Sequence, residues 1–377
     1  MISAVTLKKY ELPGLLVLVL LSSLVFTAFF FPSLTALTRY WDGPNYMYVA
    51  KTLYEIPENH PLSWYTPSPA YFACHLPAYP LLVRALSAFG GYESGLLLAT
   101  ILSTLAFVWV FYSLLKTTGW VLSPFWSCVF VLFLPARFLI YRHVGATEPL
   151  FLALTAGTLL MVYREKWFWA CVLASLAACT RITGILLMPS LALYLLLQTR
   201  MWEGPWQKIK THWKKILALN LIPVPLLLVF TFYYFQYGDF FAYWSWNQKL
   251  LSRFPFEILK AYAFTGNSQT AEFYLLLYLL HGLGLVLLAV KRLWLPFAVT
   301  LIPYILTLFI FHEDLSRYYL VLAPFTWILA FDALTHSKAA RLLFCTVIIP
   351  LVYIYAWGLI PTNQIDLPTY ENLMKFF

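Results

Sequence analysis

Long apolar runs recur along the chain, parted by short polar stretches. A helix needs about 20 mainly apolar residues to cross the hydrocarbon layer of a bilayer. Runs of that kind predict eleven membrane segments, near residues 12–32, 92–115, 120–140, 147–163, 167–180, 182–198, 216–236, 272–290, 294–311, 318–335 and 341–360. The segments 167–180 and 182–198 are short, and the polar Thr180-Arg181-Ile182-Thr183-Gly184 separates them. They read as a broken hairpin whose tip stops at the interface or inside a protein-lined cavity. A single bent span is the rival reading, and it would invert the sidedness of everything downstream. The first run follows Lys8 and Lys9 but is long for a signal peptide, and no small-x-small cleavage site follows before Arg39. It reads as a retained span.

Two outer connections are long, about 33–91 and about 238–271, whereas the inner ones are short apart from the basic Thr199 to Lys215. Long loops with structure of their own usually carry function. The first contains two stretches predicted as interfacial helices, Asn45 to Tyr54 and Leu76 to Phe89, joined through Pro57, Pro61, Pro67 and Pro69. Such helices are expected to lie on the membrane surface. No internal repeat or soluble domain is visible, so residues 1–377 read as one all-α, polytopic transmembrane domain.

Composition sharpens this. Hydrophobic residues make up 62% of the 377, charged residues only 11%, and the mean hydropathy is +0.74; soluble domains are roughly 45 to 50% apolar. A net charge of +9 would point to nucleic acid in a soluble protein. Here the basic residues act first as topology signals, and nucleic acid is not an expected partner. With the hairpin, one side collects Lys8, Lys9, Lys116, Arg164, Lys166, Arg200, Lys208, Lys210, Lys214, Lys215, Lys291, Arg292, Lys338 and Arg341, against only Glu11, Glu165, Glu203 and Asp332. The other side holds eleven basic and twelve acidic residues. Lysine and arginine mark the cytoplasmic face, so the N-terminus is expected inside, and the C-terminal tail and functional face outside (periplasm, exterior or ER lumen). Four of the five cysteines lie in apolar runs and Cys74 alone in a loop, a distribution that supplies neither a disulfide framework nor a metal-ligand spacing.

Four polar clusters could carry chemistry. In Arg39-Tyr40-Trp41-Asp42-Gly43-Pro44-Asn45-Tyr46, Asp42 stands at the outer boundary ahead of a helix whose N-terminus favours negative charge. It is either a fixed, ionised functional acid or a helix cap. In His143-Val144-Gly145-Ala146-Thr147-Glu148-Pro149, Glu148 opens an apolar span; acids at such depth tend to face cavities, and a plain helix-start carboxylate is the equal alternative. Arg137, Arg142 and His143 just before it place positive charge on the outer face. That suits an anionic ligand or snorkelling to lipid phosphate. Arg181 at the hairpin tip has a planar fork suited to phosphate, or it pairs with a loop acid. Finally, His312-Glu313-Asp314-Leu315-Ser316-Arg317-Tyr318 lies between two spans, where Arg317 and Tyr318 could reach a headgroup phosphate or serve only as an ordinary loop. No phosphate-binding Gly-x-x-x-x-Gly-Lys loop, His-Glu-x-x-His pair, Gly-x-Ser-x-Gly elbow or Asp-x-Asp motif occurs. No cofactor and no metal is expected.

Trp41-Asp42-x-x-x-Tyr46 after a first span, followed by His75-Leu76-Pro77-Ala78-Tyr79-Pro80-Leu81-Leu82, resembles the GT-C superfamily of polytopic glycosyltransferases. More closely, the order of segments is similar to the mannosyltransferases that add the second mannose of glycosylphosphatidylinositol anchors, and to their prokaryotic relatives. Ala146 to Phe151, Thr180 to Gly184, Tyr237 to Phe241 and Trp246 to Gln248 follow in the expected order, so the likeness spans about residues 39–330. It implies transfer of a sugar, mannose or another hexose, from a polyprenyl- or dolichyl-phosphate donor to a lipid, glycan or protein acceptor at the outer or lumenal face. It also gives Asp42 the role of catalytic base. Gly-Pro after the aspartate, and a single acid there, depart from relatives that use paired acids. On this reading Asp42 and Glu148 are the catalytic candidates, and Arg181, Arg317, Tyr318, Arg142, His143 and His312 the candidates for binding substrate or phosphate. A secondary transporter or lipid flippase is the alternative, since such proteins also use broken helices and intramembrane ions. A non-catalytic scaffold is a third, against which the elaborate first loop argues.

Overall fold

The computed structural model describes residues 10–31, 33–64, 66 and 68–377. The topology signals Lys8 and Lys9 and the loop residue Pro67 lie outside the described residues. Helices dominate, and among the described residues extended structure is limited to two isolated bridges, Tyr40 with Gln364 and Leu251 with Ile310. The chain is an all-α membrane protein. Six of the eleven predicted segments contain helices long and apolar enough to cross a membrane: Glu11–Ala28, Gly91–Thr118, Ile182–Thr199, Pro205–Tyr237, Ser268–Val290 and Lys338–Thr362. Their outer surfaces expose Leu24, Leu228, Leu279 and Ile354, which water would penalise and lipid does not.

The other five segments are shorter or interrupted. Glu148–Tyr163, Trp167–Ala178 and Trp294–Thr307 are short apolar helices. The run 120–140 divides into Pro124–Val131 and Arg137–Tyr141, and the run 318–335 into Leu315–Leu320, Pro324–Leu329 and Asp332–His336. Pro135 and Pro324 fall at these interruptions, where a residue without an N–H cannot extend the helical ladder.

The polar turn at Arg181 is a hairpin tip, not a bend in one span. Gly184 lies on the end of helix Trp167–Ala178 so closely that a Cβ there would come within 2.4 Å of the Ala177 carbonyl carbon. At the far end of the same pair, the Trp167 ring stacks on Tyr194 with centroids 6.5 Å apart. Residues 27 positions apart in sequence would be about 40 Å apart along one helix, so the chain must reverse between them.

That reversal gives the bundle two distinct polar ends. One carries Glu11 with Lys116 at 3.5 Å, Glu165 with Lys215 at 2.6 Å, and Lys291 paired with Asp332. The other carries the first loop, the hairpin tip, residues 238–271, residues 312–317 and the C-terminal tail. The tail folds back onto the first loop through the Tyr40–Gln364 bridge, a Tyr370 hydroxyl bond to Thr38 at 2.6 Å and the packing of Phe377 on Tyr92.

The two helices predicted in the first loop exist, as Gly43–Thr52 and Ala78–Leu86. The setting of the first differs from the expectation. Gly43 through Ala50 are all buried, so the first of these helices lies inside the protein and not on a membrane surface. Its apolar positions, Met47, Val49 and Ala50, have joined a second core with Phe72, Tyr79 and Leu96.

Candidate functional site

Two sets of close contacts bring the separated motifs together. Gly43 follows Asp42, and Gly145 precedes Glu148; a Cβ on Gly145 would lie 2.8 Å from the Gly43 Cα. Only residues without a Cβ let the two loops meet so closely. The segment His75 to Leu82 supplies the second set. Its Tyr79 hydroxyl accepts the Ala146 N–H at 3.2 Å and bonds Thr100 Oγ1 at 2.6 Å, and its Ala78 N–H donates to the Cys179 carbonyl at 3.0 Å. One short segment thus holds both the Glu148 loop and the Arg181 turn.

Four charged side chains meet where these loops converge. Arg317 donates from Nη1 to Asp42 Oδ2 at 2.5 Å and from Nε to Glu148 Oε1 at 2.7 Å. Arg181 donates from Nη1 to the same Glu148 oxygen at 2.6 Å and to Thr147 Oγ1 at 3.0 Å. The Arg317 guanidinium lies over the Tyr141 ring, 4.9 Å from its centroid. A carboxylate shared by two guanidiniums relieves the repulsion that would otherwise part them. Two arginines against two acids leave the cluster neutral with nothing bound.

Asp42, Arg181 and Arg317 line a cavity of about 920 Å³, together with Tyr46, His75 and Tyr318. Burial alone would raise the Asp42 carboxyl, but Arg317, with His75 and Arg181 farther off, outweighs it and holds Asp42 below its usual value. A depressed carboxylate stays charged above its unfolded pKa and loses its pairing only as pH falls through the folded value. Asp42 is therefore ionised at neutral pH. Burial pushes the neighbouring His75 imidazole down to about 4, so that ring is neutral there.

The predicted site residues divide into three groups. Asp42, Arg181, Arg317, Tyr318 and His312 line the one cavity. Glu148 is 0% exposed and does not line the cavity; it holds Arg181 and Arg317, which do. Arg142 and His143 are elsewhere. The Arg142 Nη1 donates to Ser22 Oγ at 3.0 Å, and the His143 ring bonds Ser23 Oγ at 2.8 Å and the Leu139 carbonyl at 2.6 Å. Both are buried against the first helix, and neither lines the cavity.

Sequence reasoning named Arg137 only within an outer basic cluster and passed over His75 and Tyr46 as site residues. Arg137 lines the cavity paired with Asp314, which accepts from the Tyr141 hydroxyl at 3.3 Å. Tyr46 packs edge-on against His75 with centroids 5.0 Å apart. The signal for the last two was present: Asp42 and Tyr46 are four positions apart, about one helical turn, and His75 opens the segment that ties the loops together.

Beside the cavity runs a narrow apolar cleft between helices Glu148–Tyr163, Leu187–Thr199 and Trp294–Thr307, walled by Phe151, Leu187, Val299, Pro303 and Leu322. Arg181 and Tyr318 line both spaces. The cleft therefore meets the polar cavity at a guanidinium. No family model matches the chain, and no curated protein matches it.

Proposed function

We propose that the protein is a membrane glycosyltransferase of GT-C type that moves a hexose, mannose foremost, from a polyprenyl- or dolichyl-phosphate donor to a hydroxyl acceptor. The observation that carries this reading is the junction of an apolar cleft with a polar cavity, where Arg181 and Arg317 stand beside an ionised Asp42. A phosphate suits the guanidiniums, and the apolar cleft, about 30 Å³ as it stands, must widen between its helices to take a prenyl chain. Asp42 takes the proton of the acceptor hydroxyl as its oxygen bonds the anomeric carbon. The bond from that carbon to the phosphate oxygen breaks, and its electron pair leaves with the phosphate, whose developing charge the arginines stabilise. Attack opposite the leaving phosphate inverts the anomeric centre. The charge division along the sequence supports an outward or lumenal site and a cytoplasmic N-terminus.

The test gives purified protein in vesicles either polyprenyl-phosphate sugars or nucleotide sugars, across a small panel of hexoses, with and without a chelator. Transfer from the lipid-linked donor is expected. Transfer from nucleotide sugars alone would overturn the mechanism and the family likeness with it. Vectorial movement of lipid with no glycosidic product would favour a flippase.

A further inference from the structure

Arg317 has two claims on it. It closes the pair with Asp42, and it lines the cavity where a donor phosphate would sit. Its Nε is held by the buried Glu148, and its flat face rests over Tyr141, while the bond to Asp42 comes from Nη1 at the outer end of the fork. The geometry allows the Nη end to leave Asp42 without giving up Glu148. An Asp42 held by Arg317 is a poor base, because the ion pair stabilises its charged form and occupies one of its oxygens.

We propose that a prenyl phosphate and Asp42 compete for Arg317, so that seating the phosphate draws the guanidinium off Asp42 and frees the base only when a donor is present. The proposal rests on the lipid-phosphate reading above. The phosphate adds negative charge to a cluster that two arginines and two acids leave neutral, so it and Asp42 cannot both be fully paired with Arg317. Arg181 stays anchored to Glu148 and Thr147 and serves as the fixed half of the clamp. The consequence is a binding order, donor before activated acceptor, and it protects a bound acceptor site from idle base chemistry.

Competition makes an unusual prediction: removing the proposed base should tighten phosphate binding. A ligand needing a state occupied a tenth of the time binds about tenfold more weakly than it would if that state were always available. The experiment measures binding of geranylgeranyl phosphate to the purified full-length protein, with geranylgeraniol as the control that lacks phosphate. The proteins are wild type, Asp42→Asn, Arg317→Gln and the double variant, with Asp42→Ser as a second way to remove the charge. Thermal melts establish that each is folded. Asp42→Asn and Asp42→Ser are expected to bind about tenfold more tightly than wild type. Arg317→Gln should bind more weakly, and adding Asp42→Asn to it should change little. An unchanged or weaker affinity in both Asp42 variants overturns the competition. So does equal tightening with and without Arg317, which would be ordinary repulsion between Asp42 and any anion. Wild-type protein that prefers geranylgeraniol or binds neither compound would instead defeat the lipid-phosphate reading on which the proposal stands.

Discussion

The two polar ends of the bundle use the same chemistry in opposite ways. At the end away from the cavity, Glu165 and Lys215 are paired at 2.6 Å, yet the glutamate side chain is 65% exposed and serves one partner lysine. At the cavity end, Glu148 is fully buried, serves two arginines through one oxygen, and is linked through Arg317 to Asp42. Exposed pairs are worth about 0 to 1 kcal/mol, whereas losing one member of a buried pair strands a charge and costs about 3 to 5 kcal/mol. Membership of an ion pair therefore says little about function at either end. Burial, sharing and contact with a cavity distinguish the two. The same contrast appears in side-chain choice: lysines dominate the exposed end, and arginines, whose planar fork can hold two partners at once, build the buried one.

Breaking the cavity end should have the largest consequence. Asp42→Asn keeps the side chain's size and leaves Arg317 its bond to Glu148, so it should lower the melting temperature less than loss of Glu148 does, while lowering transfer by about 10² to 10⁴-fold if a general base is lost. Near-normal turnover would leave Asp42 only its structural pairing with Arg317, since its side chain makes no capping bond to the helix that follows. Glu148→Gln removes the shared anion from between two guanidiniums. It should destabilise the protein by up to about 3 to 5 kcal/mol, seen as a large drop in melting temperature, and should weaken donor use as the arginines separate. Unchanged stability would mean that the arginines do not need Glu148 to stay together.

Arg181→Ala should reduce donor use by about 10 to 100-fold, the equivalent of one charge-assisted hydrogen bond worth roughly 1.5 to 3 kcal/mol. Lysine at this position should restore only part of it. Lys215→Ala sharpens the comparison from the other side: it should change stability by no more than about 1 kcal/mol and leave transfer unaltered. A loss of transfer there would blur the distinction between the ends.

Much of the cavity end was legible in the sequence because the bilayer makes charge conspicuous. Asp42, Glu148, Arg181 and Arg317 each stand at the margin of an apolar run, where an ionised group must find a partner. Sequence gives depth in this way, but not rotation. Arg137 and Arg142 are five residues apart around one short helix; the first pairs with Asp314 on the cavity wall and the second turns to Ser22. Nothing in the local pattern separates them. The interrupted runs at Pro135 and Pro324 were hidden for a related reason, since hydropathy summed over a window does not register a missing N–H. The burial of helix Gly43–Thr52 was hidden too, because a polar-looking stretch with Asn45 and two tyrosines gives no sign that other loops will cover it.

The central claim is that the cavity end, and not its counterpart, receives a lipid phosphate. The most direct test is photo-crosslinking of the full-length protein with a prenyl phosphate that carries a diazirine in its chain, followed by mapping of the modified peptides. The account predicts crosslinks around Phe151, Thr183 to Leu187, Pro303 and Leu322, suppressed by excess geranylgeranyl phosphate and weakened by Arg181→Ala. Crosslinks confined to the region of Glu165, Lys215 and Asp332, and indifferent to Arg181, would contradict it.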